Sequence, residues 1–100
     1  MVKHVIIWNL KDTLTEEEKN VVKVNAKKKL EALVGKIDGL IDLKIEIEFL
    51  PTSTGEMMLD STFESFDTLK AYAIHPSHQA VANEFVRPYT SARSCVDFEI

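Results

Sequence analysis

The sequence predicts an α+β fold in which the elements follow the order β-α-β-β-α-β. Three observations lead to it: an apolar strand-like run at 2–10, a capping box that opens a helix at Thr15, and strict alternation at 41–50. This order is typical of a four-stranded antiparallel sheet with both helices on one face, the ferredoxin-like arrangement. The 100 residues are enough for one domain, which we place at 1–100.

The first strand, Val2 to Leu10, is rich in consecutive β-branched and aromatic residues. The two-residue period places Val5 and Ile7 on one face. The other face carries Val2, His4, Ile6 and Trp8. Because two helices cover only one side of the sheet, this pattern predicts that a second copy covers the other.

The first helix is predicted to begin after the cap Thr15, with Glu18 completing the box, and to end near Val34 because Gly35 is a favoured stop. Its predicted buried stripe is Val22, Ala26, Leu30, Leu33 and Ile37. The run Lys27–Lys29 is more typical of a solvated helix face than of an anion site.

The second strand is predicted over 41–50, because apolar and charged residues alternate there. Its predicted inward residues are Ile41, Leu43, Ile45, Ile47 and Phe49. A turn at 51–55 leads to an antiparallel third strand, Met57 to Phe63. The last strand is predicted from Ser94 to Ile100.

The second helical region is predicted to be broken by Pro76. Ser65 can cap a helix from Phe66 to about Ala73, and proline then disfavours helical geometry at His75. A new segment is expected from Pro76 to about Val86, with His75 as its cap. His78 then lies in a first helical turn, where the dipole favours neutral imidazole.

Composition excludes several classes of function. The net charge of −4 argues against nucleic-acid binding, and no apolar run has the length of a membrane span. Cys95 is the only cysteine, which fits a reducing compartment, and no signal-peptide pattern precedes Asn9. We therefore expect a cytoplasmic location. No activating base is near Cys95 in the sequence, so a thiol nucleophile is not expected.

Several motifs resemble one known family. They are Val2-Lys-His4, Thr15-Glu-Glu-Glu18, Phe63-Glu-Ser-Phe66, Tyr72-Ala-Ile-His-Pro-Ser-His78 and Val96-Asp-Phe98. Together they resemble the stress-responsive α/β-barrel (Dabb) domain family, with distant similarity to polyketide cyclases of the olivetolic acid cyclase type. The resemblance implies a homodimeric α/β barrel around a cavity. In the cyclase branch a histidine acts as base beside a tyrosine, positions that His78 and Tyr72 match.

Two hypotheses for function follow. The first is a homodimer of undefined biochemical role that binds a small apolar or aromatic molecule in the barrel cavity. The candidate binding residues are His4, Trp8, Phe63, His75 and Phe85. The second is a cofactor-independent cyclase or lyase in which His78 is the general base and Tyr72 the orienting donor. Helical spacing groups His78 with Val81, Ala82 and Phe85, and so turns its ring inward.

We expect no cofactor and no metal site. His75 and His78, with a carboxylate such as Asp97, could in principle hold a metal ion. However, the proline between the two histidines keeps their rings off a common helix face. The expected partners are therefore a second copy of the chain and a small ligand, with no nucleic acid and no membrane.

Overall fold

The computed structural model describes residues 1–100 and has the predicted order of elements. The strands are β1 (Val2–Leu10), β2 (Leu40–Glu46), β3 (Met57–Phe63) and β4 (Thr90–Glu99). The helices are α1 (Glu16–Glu31), α2 (Phe66–Ile74) and α3 (Pro76–Val81). A π-helical turn, Ala82–Val86, and a 3-10 turn, Arg87–Tyr89, lead from α3 to β4. All strand pairs are antiparallel, in the order β2-β3-β1-β4. The predicted ferredoxin-like fold is confirmed.

Strand β1 lies inside the sheet and pairs with β3 on one side and β4 on the other. Its side chains alternate as predicted: Ile7 is exposed, whereas His4, Ile6 and Trp8 are buried. The alternation arises because successive strand side chains point to opposite faces, and only one face is covered by helices. His4 therefore points into the helix-covered core.

Helix α1 begins at the predicted capping box. The Thr15 hydroxyl accepts a bond of 3.1 Å from the Glu18 N–H, and the Glu18 carboxylate accepts one of 2.8 Å from the Thr15 N–H. The predicted stripe of five residues is buried throughout. The α-helix ends at Glu31, earlier than predicted, and the chain turns before Gly35, whose φ is +88°.

Strand β2 is shorter than predicted. The prediction that Phe49 is buried was wrong, Ile47 is only half-buried, and Ile41 does not follow the predicted alternation. Leu43 and Ile45 are buried, but Ile41 and Phe49 are exposed. The register shifts between Leu40 and Asp42, which removes Ile41 from the alternation. Phe49 follows the last paired residue of the strand, so no neighbouring strand fixes its direction.

The outer edge of β2 is held by two side chains of α1. The Glu31 carboxylate accepts a bond of 2.9 Å from the Ile45 N–H, and the Lys27 ammonium donates one of 2.8 Å to the Ile45 carbonyl. Lys27 and Glu31 also pair with each other at 2.8 Å. Burial raises the pKa of Glu31, but the bonds from Lys27 and Ile45 outweigh it and hold the pKa below its ordinary value. Helix α1 thus satisfies the edge of the sheet at this point.

The face of the sheet that the helices do not cover is apolar on one half and charged on the other. Val96 and Phe98 of β4 are exposed beside Val5 and Lys3, their partners on β1. Towards β3, Lys3 pairs with Asp60 at 2.6 Å. None of the helices combines the length and the apolar character that crossing a membrane requires.

We expect Ile45→Glu to destabilise the protein far more than Glu46→Ile. Ile45 is 0% exposed, so the substitution places an unpaired charge in the core and should lower the free energy of unfolding by about 3 kcal/mol or more. Glu46 lies on the other face, where its replacement should change that free energy by about 0.5 kcal/mol. Urea unfolding at one protein concentration measures both. Equal losses would show that the two faces of β2 are assigned incorrectly.

Candidate functional site

The site is built on the first residues of β1. His4 lies opposite Ser61 of β3 and Asp97 of β4 in the two registers. The Ser61 hydroxyl donates a bond of 2.7 Å to the His4 carbonyl, which ties this part of β1 to β3. The pairing therefore fixes the position of the His4 side chain between the sheet and the helices.

Tyr72 joins the sheet to the helical layer through ring contacts. Its ring lies 4.9 Å from that of Phe63, 6.3 Å from that of His4 and 4.2 Å from that of His78, measured between centroids. The first two contacts are edge-on, an arrangement that aromatic rings prefer, and the third is tilted. We call these four side chains, His4, Phe63, Tyr72 and His78, the ring cluster.

His75 and Pro76 make the ring cluster possible. Ser65 caps α2 by accepting a bond of 3.2 Å from the Thr68 N–H, and α2 then runs to Ile74. His75 has extended backbone, and its Nδ1 accepts a bond of 3.1 Å from the Ser77 N–H. The predicted cap is therefore present, and the new helix direction brings His78 back against Tyr72.

The environment of His78 favours a neutral ring. Burial is the main reason that its pKa lies below the ordinary value, and the positive charges of Arg87 and Arg93 act in the same direction. The helix dipole that we expected from the sequence is not needed to explain this shift, and α3 has only six residues. The Nδ1 atom lies 3.2 Å from the Ala73 carbonyl, to which an N–H at this position donates. In that tautomer the Nε2 lone pair is free to accept a proton or a hydrogen bond.

The Tyr72 hydroxyl is buried and has no hydrogen-bond partner in the protein. The residue is only 2% exposed, and burial raises the pKa of the phenol above its ordinary value. A buried hydroxyl without a partner destabilises a fold by about 1–3 kcal/mol. The hydroxyl is therefore a donor at neutral pH that a bound polar atom would satisfy.

A second group of polar side chains lies beside the ring cluster on β4. His4 Nδ1 is 2.5 Å from Asp97 Oδ1, and Cys95 Sγ lies 3.7 Å from His4 Nδ1 and 3.6 Å from Asp97 Oδ1. We call these three residues the β4 cluster. Burial, followed by the Asp97 charge, raises the pKa of the Cys95 thiol, which keeps it protonated at neutral pH.

Sequence reasoning missed the β4 cluster. Cys95 and Asp97 are two residues apart and share one face of a predicted strand, a signal that was present in the sequence. What the sequence did not supply was the register that sets His4 opposite Asp97, 93 positions away. The histidine near Cys95 was therefore not anticipated.

The other candidate residues lie apart from the ring cluster. Trp8 is four residues farther along β1, about 13 Å from His4 along the strand. The His75 ring caps α3. Phe85 follows the start of the π-helical turn, whose i→i+5 geometry changes the side-chain directions that a regular helix would give. Its ring faces Lys29, with the ammonium 5.4 Å from the centroid. His75, His78 and Asp97 do not form a shared site.

Phe85 lines a groove of about 490 Å³ between α1 and the end of the helical region. The other lining residues include Leu14, Val22 and Tyr89, with Glu17, Glu18 and Glu84 at polar positions. Neither Tyr72 nor His78 lines this groove. Of the candidate residues, only His4, Phe63, Tyr72 and His78 come together, whereas Trp8, His75 and Phe85 lie elsewhere in the fold.

Comparisons with known proteins agree with this fold. The chain is similar to a dimeric protein of unknown function with a ferredoxin-like fold from Bacteroides fragilis, at 34% identity, a TM-score of 0.91 and coverage of 99% of this chain and 95% of the other. It is also similar to a Dabb family protein from Mesorhizobium loti, at 19% identity, a TM-score of 0.74 and coverage of 99% and 95%.

A hydroxynitrile lyase from Passiflora edulis shares the fold at 16% identity, with a TM-score of 0.74 and coverage of 99% and 92%. No curated protein matches the sequence. The model of the stress responsive A/B barrel domain, Dabb, matches residues 2–100. With this match over nearly its whole length, the chain belongs to the Dabb family of stress-responsive α/β-barrel domains.

Proposed function

We propose that the protein is a homodimer that binds a small molecule at the ring cluster. The observation that carries the ligand site is the buried Tyr72 hydroxyl, which has no partner in the protein and lies beside a neutral, half-buried His78. A ligand with a carbonyl or hydroxyl oxygen would accept from Tyr72, and His78 Nε2 would accept from a ligand donor. The apolar rings around them favour an aromatic or apolar body.

The uncovered face of the sheet supports the homodimer. Exposed Val96 and Phe98 form an apolar area that a second copy can bury, and burial of apolar surface contributes about 25 cal/mol per Å². The related protein from Bacteroides fragilis is dimeric. A closed pair related by two-fold symmetry would cover the same face of both copies.

We expect light scattering to give twice the 11.3-kDa mass of the chain, and Val96→Glu to lower it towards the monomer value. Val96 is 60% exposed on the uncovered face, and a buried charge at an interface opposes association. Val24→Glu is the matched control, because Val24 is 56% exposed on α1. A monomer mass for the unmodified chain, or equal effects of the two substitutions, would contradict the proposed interface.

We expect Tyr72→Phe to weaken ligand binding without loss of stability. The change removes a buried hydroxyl that has no protein partner, so the free energy of unfolding should stay equal or rise by up to about 1 kcal/mol. Acetophenone is a suitable probe because its carbonyl can accept from Tyr72. Ethylbenzene, with a similar shape and no acceptor, should bind less tightly. Ligand-observed NMR should show acetophenone affinity falling about 10-fold in Tyr72→Phe.

Tyr89→Phe is the control for this experiment, because Tyr89 lines the separate groove beside α1. It should leave acetophenone binding unchanged. A loss of more than about 1 kcal/mol in Tyr72→Phe would mean that the hydroxyl has a structural partner. Equal binding of both probes would mean that Tyr72 does not recognise the carbonyl.

A second function, that of a cofactor-independent cyclase or lyase, is favoured by the state of His78. A neutral ring with Nδ1–H bound to the Ala73 carbonyl presents Nε2 as a base. Nε2 would take the proton from a carbon next to a carbonyl, and that carbon would keep the electron pair. Tyr72 would donate to the carbonyl oxygen, on which negative charge develops. His78→Gln should then lower turnover by about 100-fold or more.

We expect nitrogen-15 NMR of the imidazoles to give His78 a pKa below 6.5 and the Nδ1–H tautomer. Since the folded-state pKa is lowered, the neutral base persists below pH 6.5 and is lost only as the pH falls through that lower value. Spectra of His78→Gln assign the signal. A pKa at or above 6.5 would rule out the buried, neutral His78 on which this mechanism depends.

A further inference from the structure

The β4 cluster brings three different metal-ligand types to one point. His4 offers an imidazole nitrogen, Cys95 a sulfur and Asp97 a carboxylate oxygen, and the three atoms lie within 4.8 Å of one another. His4 comes from β1, whereas the other two come from alternate positions of the adjacent strand β4. Two hydrogen-bonded strands therefore fix the spacing, which holds donor atoms more firmly than a loop would.

The spacing fits the edges of a tetrahedron around zinc. Bond lengths of about 2.3 Å to sulfur and about 2.0–2.1 Å to nitrogen or oxygen place sulfur about 3.5 Å from each of the other donors. The observed distances from Cys95 Sγ are 3.7 Å to His4 Nδ1 and 3.6 Å to Asp97 Oδ1. Only the 2.5 Å separation of His4 and Asp97 is shorter than the tetrahedral edge of about 3.3 Å. A small rotation of the exposed Asp97 side chain would open it.

We propose that His4, Cys95 and Asp97 bind one zinc-class divalent cation per chain. Three protein ligands leave the fourth tetrahedral position to water or to an exogenous ligand atom. A donor set of nitrogen, sulfur and oxygen selects Zn²⁺ or Co²⁺ over Mg²⁺, which prefers oxygen ligands alone. Cys95 and Asp97 are exposed on the edge strand, so an ion can reach the site from solvent. His4 also belongs to the ring cluster, but the proposed cation ligands do not include Tyr72 or His78, the two groups proposed to bind the small molecule.

The test is a titration of the untagged, reduced chain with Co²⁺, followed by displacement with Zn²⁺. We expect one ion per chain, bound in the micromolar range or tighter, with a thiolate-to-cobalt absorption band and the strong visible bands of tetrahedral cobalt. Cys95→Ser and Asp97→Asn alter exposed side chains and should remain folded. Each should weaken Zn²⁺ binding by about 100-fold. Loss of a residue that only hydrogen-bonds to a metal ligand already lowers metal affinity by about 10- to 100-fold, and here a ligand itself is changed.

Glu99→Gln is the matched control, because Glu99 is exposed on the same face of β4, two residues beyond Asp97. It should bind Zn²⁺ like the unmodified chain. The proposal is overturned if Cys95→Ser and Asp97→Asn retain full Zn²⁺ affinity. It is equally overturned if the unmodified chain shows no saturable binding, or if bound cobalt gives the weak spectrum of an octahedral, oxygen-ligated site without a thiolate band.

Discussion

The pairing of β1 with both of its neighbours is the constraint on which the rest of the structure depends. The register places Ile6 and Trp8 in the core and, by the same alternation, sets His4 under Tyr72 and opposite Asp97. A slip of one residue would turn Lys3 or Val5 towards Tyr72 and expose the apolar side of the strand. The hydrophobic core therefore fixes the position of the polar groups, although those groups contribute little to it.

The proline break is the second determinant of the site. Tyr72 and His78 are six residues apart, and in a continuous α-helix they would lie about 120° apart around the axis. Their rings could not then lie 4.2 Å from each other. The extended backbone of His75 changes the direction of the chain, and the bond from the Ser77 N–H to the His75 ring stabilises the new helix start. Local capping chemistry thus decides which residues meet in the ring cluster.

Local signals made most of the fold predictable. The alternation in β1, the caps at Thr15, Ser65 and His75, and the buried stripe of α1 all depend on residues close together in sequence. The predictions failed where pairing with a distant strand decides the structure. Apolar and polar residues continue to alternate past Glu46, but no strand pairs with that segment. The proximity of Tyr72 to His78 was expected from the family resemblance. The meeting of Asp97 with His4 was not, because it depends on a register set across almost the whole chain.

The bonds from Lys27 and Glu31 to the backbone of Ile45 make the two edges of the sheet unequal. For a strand that approaches β2, the N–H and the carbonyl of Ile45 are already hydrogen-bonded to α1. No helix side chain bonds to the outer edge of β4 in this way. Edge-to-edge growth needs two free edges per molecule if it is to continue indefinitely. With the β2 edge obstructed, two molecules that associate through their β4 edges form a finite pair. The bonds from Lys27 and Glu31 to Ile45 therefore favour closed assemblies over open-ended fibres.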